Sequence, residues 1–239
     1  MSLPANNESP TAIPGTALLL LAKLRPAYWP WGWNRIAFSR WLPEPARGLR
    51  FMKTLGSGRD GGFGLAPSAS HQGVFCIFDD HDSANDFIAN STLVARYRER
   101  SEDCLLITLQ PSTSRGSWDG VALPPGVPTP PDLPVAALTR ASIRPQSAWA
   151  FWRHAPAAQN GLAQADGCEI AVGLGEAPLL RQATFSLWRD EHAMNAYART
   201  GAHQEAIRAA WQQQFFSESM FVRFAPRAMQ GTWKGRCYD

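Results

Sequence analysis

The chain alternates between short apolar runs and amphipathic segments, and the two kinds come in a fixed order. Thr16–Leu24 is a nearly unbroken apolar run that predicts a buried strand, and an aromatic helix is expected near Trp31–Trp41. Strands are predicted at Leu49–Leu55 and Gly73–Phe78, a helix over Asp82–Arg100, and a strand at Cys104–Gln110. The pattern then starts again. Strand Ala136–Ile143 and helix Ser147–His154 are followed by strands Cys168–Leu174 and Gln182–Trp188. Helical sequence runs from Glu191 to Gln213 with a break near Thr200-Gly201, and a strand at Met220–Phe224 closes the series. Asp80 and Asp190 stand where an N-cap accepts backbone N–H bonds.

Local identities support a duplication. Ala22-Lys23-Leu24-Arg25-Pro26 returns as Ala141-Ser142-Ile143-Arg144-Pro145, and Gly116-Ser117-Trp118-Asp119-Gly120 as Gly231-Thr232-Trp233-Lys234-Gly235. Phe78-Asp79-Asp80 is echoed by Trp188-Arg189-Asp190. The separations are 119, 115 and 110 residues, a drift that loop changes produce. The order βαββαβ is the ferredoxin-like pattern. The fold class expected is therefore α+β: two ferredoxin-like halves, 15–123 and 135–239, forming one pseudo-symmetric α/β barrel. The Pro-rich stretch 124–134 reads as a stiff connector and 1–14 as a disordered polar leader.

Composition removes several function classes. The net charge of +3 is spread thinly, with no Lys/Arg block of the kind that grips nucleic acid. The four cysteines form no Cys-x-x-Cys pair; Cys76 and Cys104 lie in apolar runs and read as small buried hydrophobes, which suits a reducing cytoplasm. The run Ala17–Ala22 is too short to span a bilayer, which takes about 20 apolar residues.

Several segments in the same order resemble the spheroidene monooxygenase, or acyclic carotenoid 2-ketolase, family: Leu49–Gly58, Ala137–Pro145, Gly173–Trp188 and Gly201-Ala202-His203. The resemblance covers nearly the whole chain. It implies a fold of the dimeric α/β-barrel type, a haem cofactor carrying iron, and transfer of oxygen from dioxygen to an apolar substrate such as an acyclic carotenoid. It also implies a ferredoxin-type electron donor. Two other readings stay open: a haem enzyme of the same fold doing N-oxidation, peroxygenase or dehydratase chemistry, and a cofactor-free ligand-binding protein.

Among five histidines, His81 and His192 read as exposed first-turn residues and His71 as part of a polar loop. His203 shares a helical face with Ile207 and Ala210, and the duplication sets it opposite Leu93. Pattern alone makes His203 a core histidine satisfied by one hydrogen bond; the resemblance implies an axial iron ligand, with His154 the next candidate. Gly56–Gly64 looks like a phosphate loop but does not open a helix, so it reads as a hairpin loop or a flap that brings Lys53 or Arg59 toward haem propionates. Arg140 and Arg181 lie in or beside second-half strands, where an unpaired charge is costly. They are expected either to pair with Glu176 or Glu169 or to serve catalysis at the haem. The cluster Trp29, Trp31 and Trp33, flanked by Arg25 and Arg35, reads either as core packing or as a membrane-surface entrance peripheral to the inner membrane.

Overall fold

The computed structural model describes residues 11–12, 15–42, 44–64, 66–153, 161–177, 180–199 and 215–239. In the first half, β1 (Thr16–Leu24), β2 (Leu49–Gly58), β3 (Pro67–Phe78) and β4 (Ser101–Gly116) carry the sheet. The second half repeats them as β5 (Val135–Ile143), β6 (Cys168–Ala177), β7 (Arg181–Trp188) and β8 (Phe216–Trp233), and a short β9 (Arg236–Tyr238) pairs with the end of β8. Strand order is β4-β1-β3-β2 in one half and β8-β5-β7-β6 in the other, the ferredoxin-like order twice over. Equivalent residues pair in the same register: Ala17–Leu109 matches Ala136–Phe224, and Thr16–Phe78 matches Val135–Trp188.

Two seams close the eight strands into an antiparallel barrel. The long seam joins β4 to β8, from Leu105–Gly231 to Gly116–Met220. The short seam joins β2 to β6 at Gly56–Gly175 and Ser57–Leu174. Closure pairs the outer strands of the two halves with each other, and an eight-stranded barrel is filled by its own side chains. Leu19, Leu21, Phe75, Ile107, Leu138, Phe185 and Phe224 belong to that filling.

The repeated Gly-Ser/Thr-Trp segments do the same work in both halves. Trp118 and Trp233 are buried, one at each end of the barrel. Each precedes a two-residue turn with positive φ at both positions, Asp119-Gly120 (49° and 77°) and Lys234-Gly235 (51° and 78°), as tight hairpins of the primed type require. Gly116 and Gly231 also have positive φ, and a Cβ there would stand 2.0 Å from the carbonyl oxygens of Ser219 and Cys104 respectively. Both positions therefore demand glycine for the same reason.

Among the described residues the helices are α1 (Trp29–Ala37), α2 (His81–Asn90), α3 (Thr92–Arg100) and α4 (Glu191–Ala198), with helical turns also at 148–153. Asp80 and Asp190 cap α2 and α4 by accepting from the Ser83 and Ala193 amides. The single helix expected over Asp82–Arg100 is two. Ser91 leaves the helical conformation, and its hydroxyl accepts from the Leu93 and Val94 amides, so it restarts the helix as a new N-cap. Most strands run longer than expected; β8 extends from Phe216 to Trp233 and carries Pro226 at a register shift, where a missing N–H is tolerated. No described helix is long and apolar enough to cross a membrane.

Candidate active site

Side chains alternate between the two faces of a strand, so each half has a face inside the barrel and a face under its helices. In the first half the helix-side face is filled. Leu18, Leu20, Val74, Cys76 and Phe78 pack against Phe87, Ile88, Leu93, Val94 and Tyr97 from α2 and α3, and Leu18 and Leu20 are 1% and 2% exposed. The thiols of Cys76 and Cys104 are pushed up by burial, Cys104 to about 11, so both stay protonated and unreactive.

The matching positions of the second half hold small or hydroxylated residues. Ala137 and Thr139 replace Leu18 and Leu20, Ala171 and Gly173 replace Met52 and Thr54, and Thr184 and Ser186 replace Val74 and Cys76. Thr139 is exposed although it lies in the middle of a strand paired on both sides. The described part of α4 covers only one end of this face. There Met194 packs with Val135, Leu162 and Trp188, while Tyr197 and Phe63 lean on that cluster. Arg223 on β8 ties α4 to the sheet through Glu191 and, at 3.1 Å, the Asn195 side-chain oxygen. Among the described residues this face is lined by exposed Thr139 and part-buried Ala137 and Thr184, with Ala141, Gly173 and Ser186 buried beside them, and it is the candidate cleft. The Ser186 hydroxyl accepts from the Trp188 indole at 2.9 Å, which leaves Thr139 as the central exposed polar group of that face.

The glycine-rich loop reaches this cleft from the other half. Arg59–Gly61 forms a tight turn in which Asp60 has φ of 55°, and a Cβ on Gly173 would meet the Gly62 carbonyl at 2.5 Å and the Phe63 ring at 2.9 Å. The Ser57 hydroxyl donates to the Gly173 carbonyl at 2.6 Å. The loop is thus a strap laid across β6, bringing Phe63 to the rim of the cleft. Arg59 sits exposed on it.

The other basic residues of interest face elsewhere. Arg140 points into the barrel, opposite to the cleft, and is only 1% exposed. Its guanidinium donates to Glu218, meets Glu176 at 3.2 Å and Asp119 at 3.4 Å, and lies 5.5 Å from the centre of the Trp118 ring. Lys53, also on the inner face, pairs with Asp119 and stands 3.4 Å from Glu176, which in turn accepts from the Trp118 indole at 2.8 Å. Burial raises the carboxyls of Asp119 and Glu218, but their partners outweigh it. Lys53 and Arg140 hold Asp119 below its ordinary value, and the Gly120 and Asp119 amides with Ser117 and Arg140 do the same for Glu218. Arg181 is half exposed and reaches Glu176 at 3.7 Å. Lys53 and Arg140 therefore form one ionic plug at the Trp118 end of the barrel and do not line the cleft. Both arginines meet Glu176, one of the alternatives the sequence leaves open, whereas Glu169 pairs with Arg236.

At the opposite end, His71 corrects the expectation of a polar loop. It lies within β3, is buried, contacts the Ser68 and Ser70 hydroxyls through Nδ1, and meets Trp233 edge to face. Burial lowers its pKa. His81 and His192 are exposed in first turns, as expected. His203 and His154 lie outside the described residues, among which no group of His, Cys, Asp or Glu is arranged to hold a metal ion. Asp119 and Glu218 were not anticipated, because they meet Arg140 from 21 and 78 residues away. The cleft floor was missed for another reason: aligning the halves residue by residue reveals it, whereas motif matching does not.

Comparison with known proteins supports the same architecture. No family model matches the chain. An aldoxime dehydratase solved in complex with butyraldoxime shares the fold, with a TM-score of 0.55 over 88% of this chain and 79% of that one, at 7% identity. The spheroidene monooxygenase of Rhodobacter capsulatus is 37% identical, covering 87% of this chain and 88% of its own length. The enzyme of the same name from Rubrivivax gelatinosus is 52% identical over 99% of this chain and 92% of its own. With half its residues shared along nearly its entire length, the chain belongs to the spheroidene monooxygenase family.

Proposed function

We propose that this protein is a haem-dependent monooxygenase that transfers an oxygen atom from dioxygen to an apolar, acyclic carotenoid. The family points to the substrate class, since its members are named for a carotenoid. The haem reading is carried by one observation: the helix-side face filled by Leu18, Leu20, Met52 and Val74 in one half is cleared to Ala137, Thr139, Ala171 and Thr184 in the other. A flat macrocycle needs such a smooth floor. Leu93, which the duplication sets against His203, is itself buried in the helix–sheet layer of the first half. His203 is accordingly the residue proposed to hold the haem iron.

When bound, haem supplies the iron chemistry that activates dioxygen. The chain's own residues do the rest. Ala137 and Ala141 would give the macrocycle a close apolar bed shielded from water. Thr139 places one hydroxyl at the centre of the floor, and Phe63 and Tyr197 wall the rim. Arg59, exposed on the strap, is the described cation best placed to meet a propionate at that rim, while Lys53 and Arg140 serve the barrel interior.

The test is protein expressed with haem supply, assayed with an acyclic carotenoid, labelled dioxygen and a ferredoxin-type reductase. Label in the product is expected, and His203→Ala should lose the Soret band and the activity together. Unlabelled product, or no product from reducible haem-loaded protein, would overturn the reading. A His203→Ala protein with unchanged haem content would remove the ligand assignment alone.

A further inference from the structure

The first helix presents its aromatic residues outward. Trp31 turns in, edge to face with Tyr97 at 4.9 Å and against Arg100 at 4.7 Å, so the core reading of the tryptophan cluster holds for Trp31. The others do not follow it. Trp33 is 44% exposed, Phe38 51% and Trp41 66%, and Trp29 and Leu42 are exposed beside them. Five large apolar side chains within 14 residues is far more than the scattered single exposures of an ordinary surface.

Charge selects what this patch meets. From Pro26 to Pro43 there is no acidic residue; Arg35 is buried, and the exposed cations Arg25 and Arg47 stand on either side in the sequence. Glu44, the first acid that follows, faces away to accept from Ser91 and Thr92. Tryptophan with arginine and no carboxylate is the chemistry of the interface between headgroups and acyl chains, where the indole body is apolar and its N–H is wet. A protein partner or a second copy of this chain would bring its own acids to meet the arginines. Here none is offered within the patch for the opposite copy to use.

The patch also lies next to the short seam. A Cβ on Gly56, which pairs with Gly175 across the seam, would stand 3.5 Å from the Ile36 side chain, and Gly173 beside the cleft is two residues further along β6. That is roughly 7 Å of strand. Helical turns 148–153 follow the second Arg-Pro as α1 follows the first, and they carry exposed Trp149 with Arg153 stacked on it at 3.9 Å.

We propose that the outer face of α1 and the turn after it, Trp29, Trp33, Phe38, Trp41 and Leu42, docks this protein on an anionic lipid bilayer surface. The side of the barrel carrying the seam then faces the membrane, and an apolar substrate passes from bilayer to cleft without crossing water. The docking goes beyond the haem reading and stands without it.

Co-sedimentation with vesicles tests the docking, comparing phosphatidylcholine alone with a phosphatidylcholine–phosphatidylglycerol mixture. The wild-type protein should sediment with the anionic vesicles and release as salt rises. Trp33→Ser, Phe38→Ser and Trp41→Ser together should weaken that binding at least about tenfold, because the buried apolar area carries it. Arg25→Glu with Arg47→Glu should remove the preference for anionic lipid. The melting temperature and haem content of the variants, which report on the fold and the cleft, should stay at wild-type values. Failure of the wild-type protein to sediment with anionic vesicles overturns the proposal, as does a triple variant that binds like wild type. Gel filtration adds the last arm: a wild-type dimer that the triple variant converts to monomer assigns the patch to a second copy and overturns bilayer docking.

Discussion

Refilling the cleft is the perturbation that bears most directly on the haem reading. The double substitution Ala137→Leu, Thr139→Leu gives the second half the residues its counterpart has in Leu18 and Leu20. In the first half those leucines are 1% and 2% exposed, sealed under α2 and α3. Burying a leucine fully is worth about 1.5–3 kcal/mol over leaving it in water. Thr139 is exposed, so a leucine there gains only part of that, and the stability of the haem-free protein should change by less than about 1 kcal/mol. Binding behaves differently. Each leucine stands where the macrocycle would lie, and overpacking a fitted site costs typically 1–3 kcal/mol per intrusion. Two intrusions of about 2–6 kcal/mol together weaken haem affinity by roughly 30-fold to more than 10,000-fold. The assay is titration of haem into haem-free protein, followed at the Soret band, with thermal unfolding as the control. A folded double variant that binds haem with wild-type affinity would show that haem, if present, sits elsewhere, and the contrast between the halves would lose its functional meaning.

The mirror experiment is Leu20→Ala. It should cost about 2–5 kcal/mol in urea unfolding, as a large-to-small change in a sealed layer does, and leave haem affinity within about twofold. Arg140→Met should destabilise by about 3–5 kcal/mol, because it leaves Glu218 and Glu176 charged near the barrel interior without their partner, and adding Glu218→Gln should recover part of the loss; a cost below about 1 kcal/mol would contradict the plug. Stability should fall on acidification. Buried His71 titrates below its ordinary 6.5, so the unfolded chain binds its proton first and stability drops as pH falls below that value; Asp119 and Glu218, held below 3.8 and 4.5, add their losses further down. Urea unfolding across that range checks the sign, and His71→Gln should flatten only the upper part of the profile.

Much of the architecture was legible in the chain itself, because its signals are local. Strand runs, the caps at Asp80 and Asp190, and the repeated Gly-Ser/Thr-Trp turns depend on residues within a few positions of one another, and all return in the structure. Helix continuity over 82–100 was misjudged because Ser91 serves a helix interior and a cap almost equally well, and packing against the sheet decided for the cap. His71 was misplaced because Ser68, Ser70 and Gln72 look like a loop, yet they finish a strand inside a closed barrel. Closure itself, the assignment of Arg140 and Lys53 to the inner face, and their meeting with Asp119 and Glu218 belong to the tertiary structure. A strand's alternation says that its two faces differ; which face looks inward is fixed only when β4 meets β8 and β2 meets β6. The cleared floor at Ala137, Thr139 and Thr184 was written in the sequence throughout. It acquired meaning only once the barrel set those residues against Leu18, Leu20 and Val74.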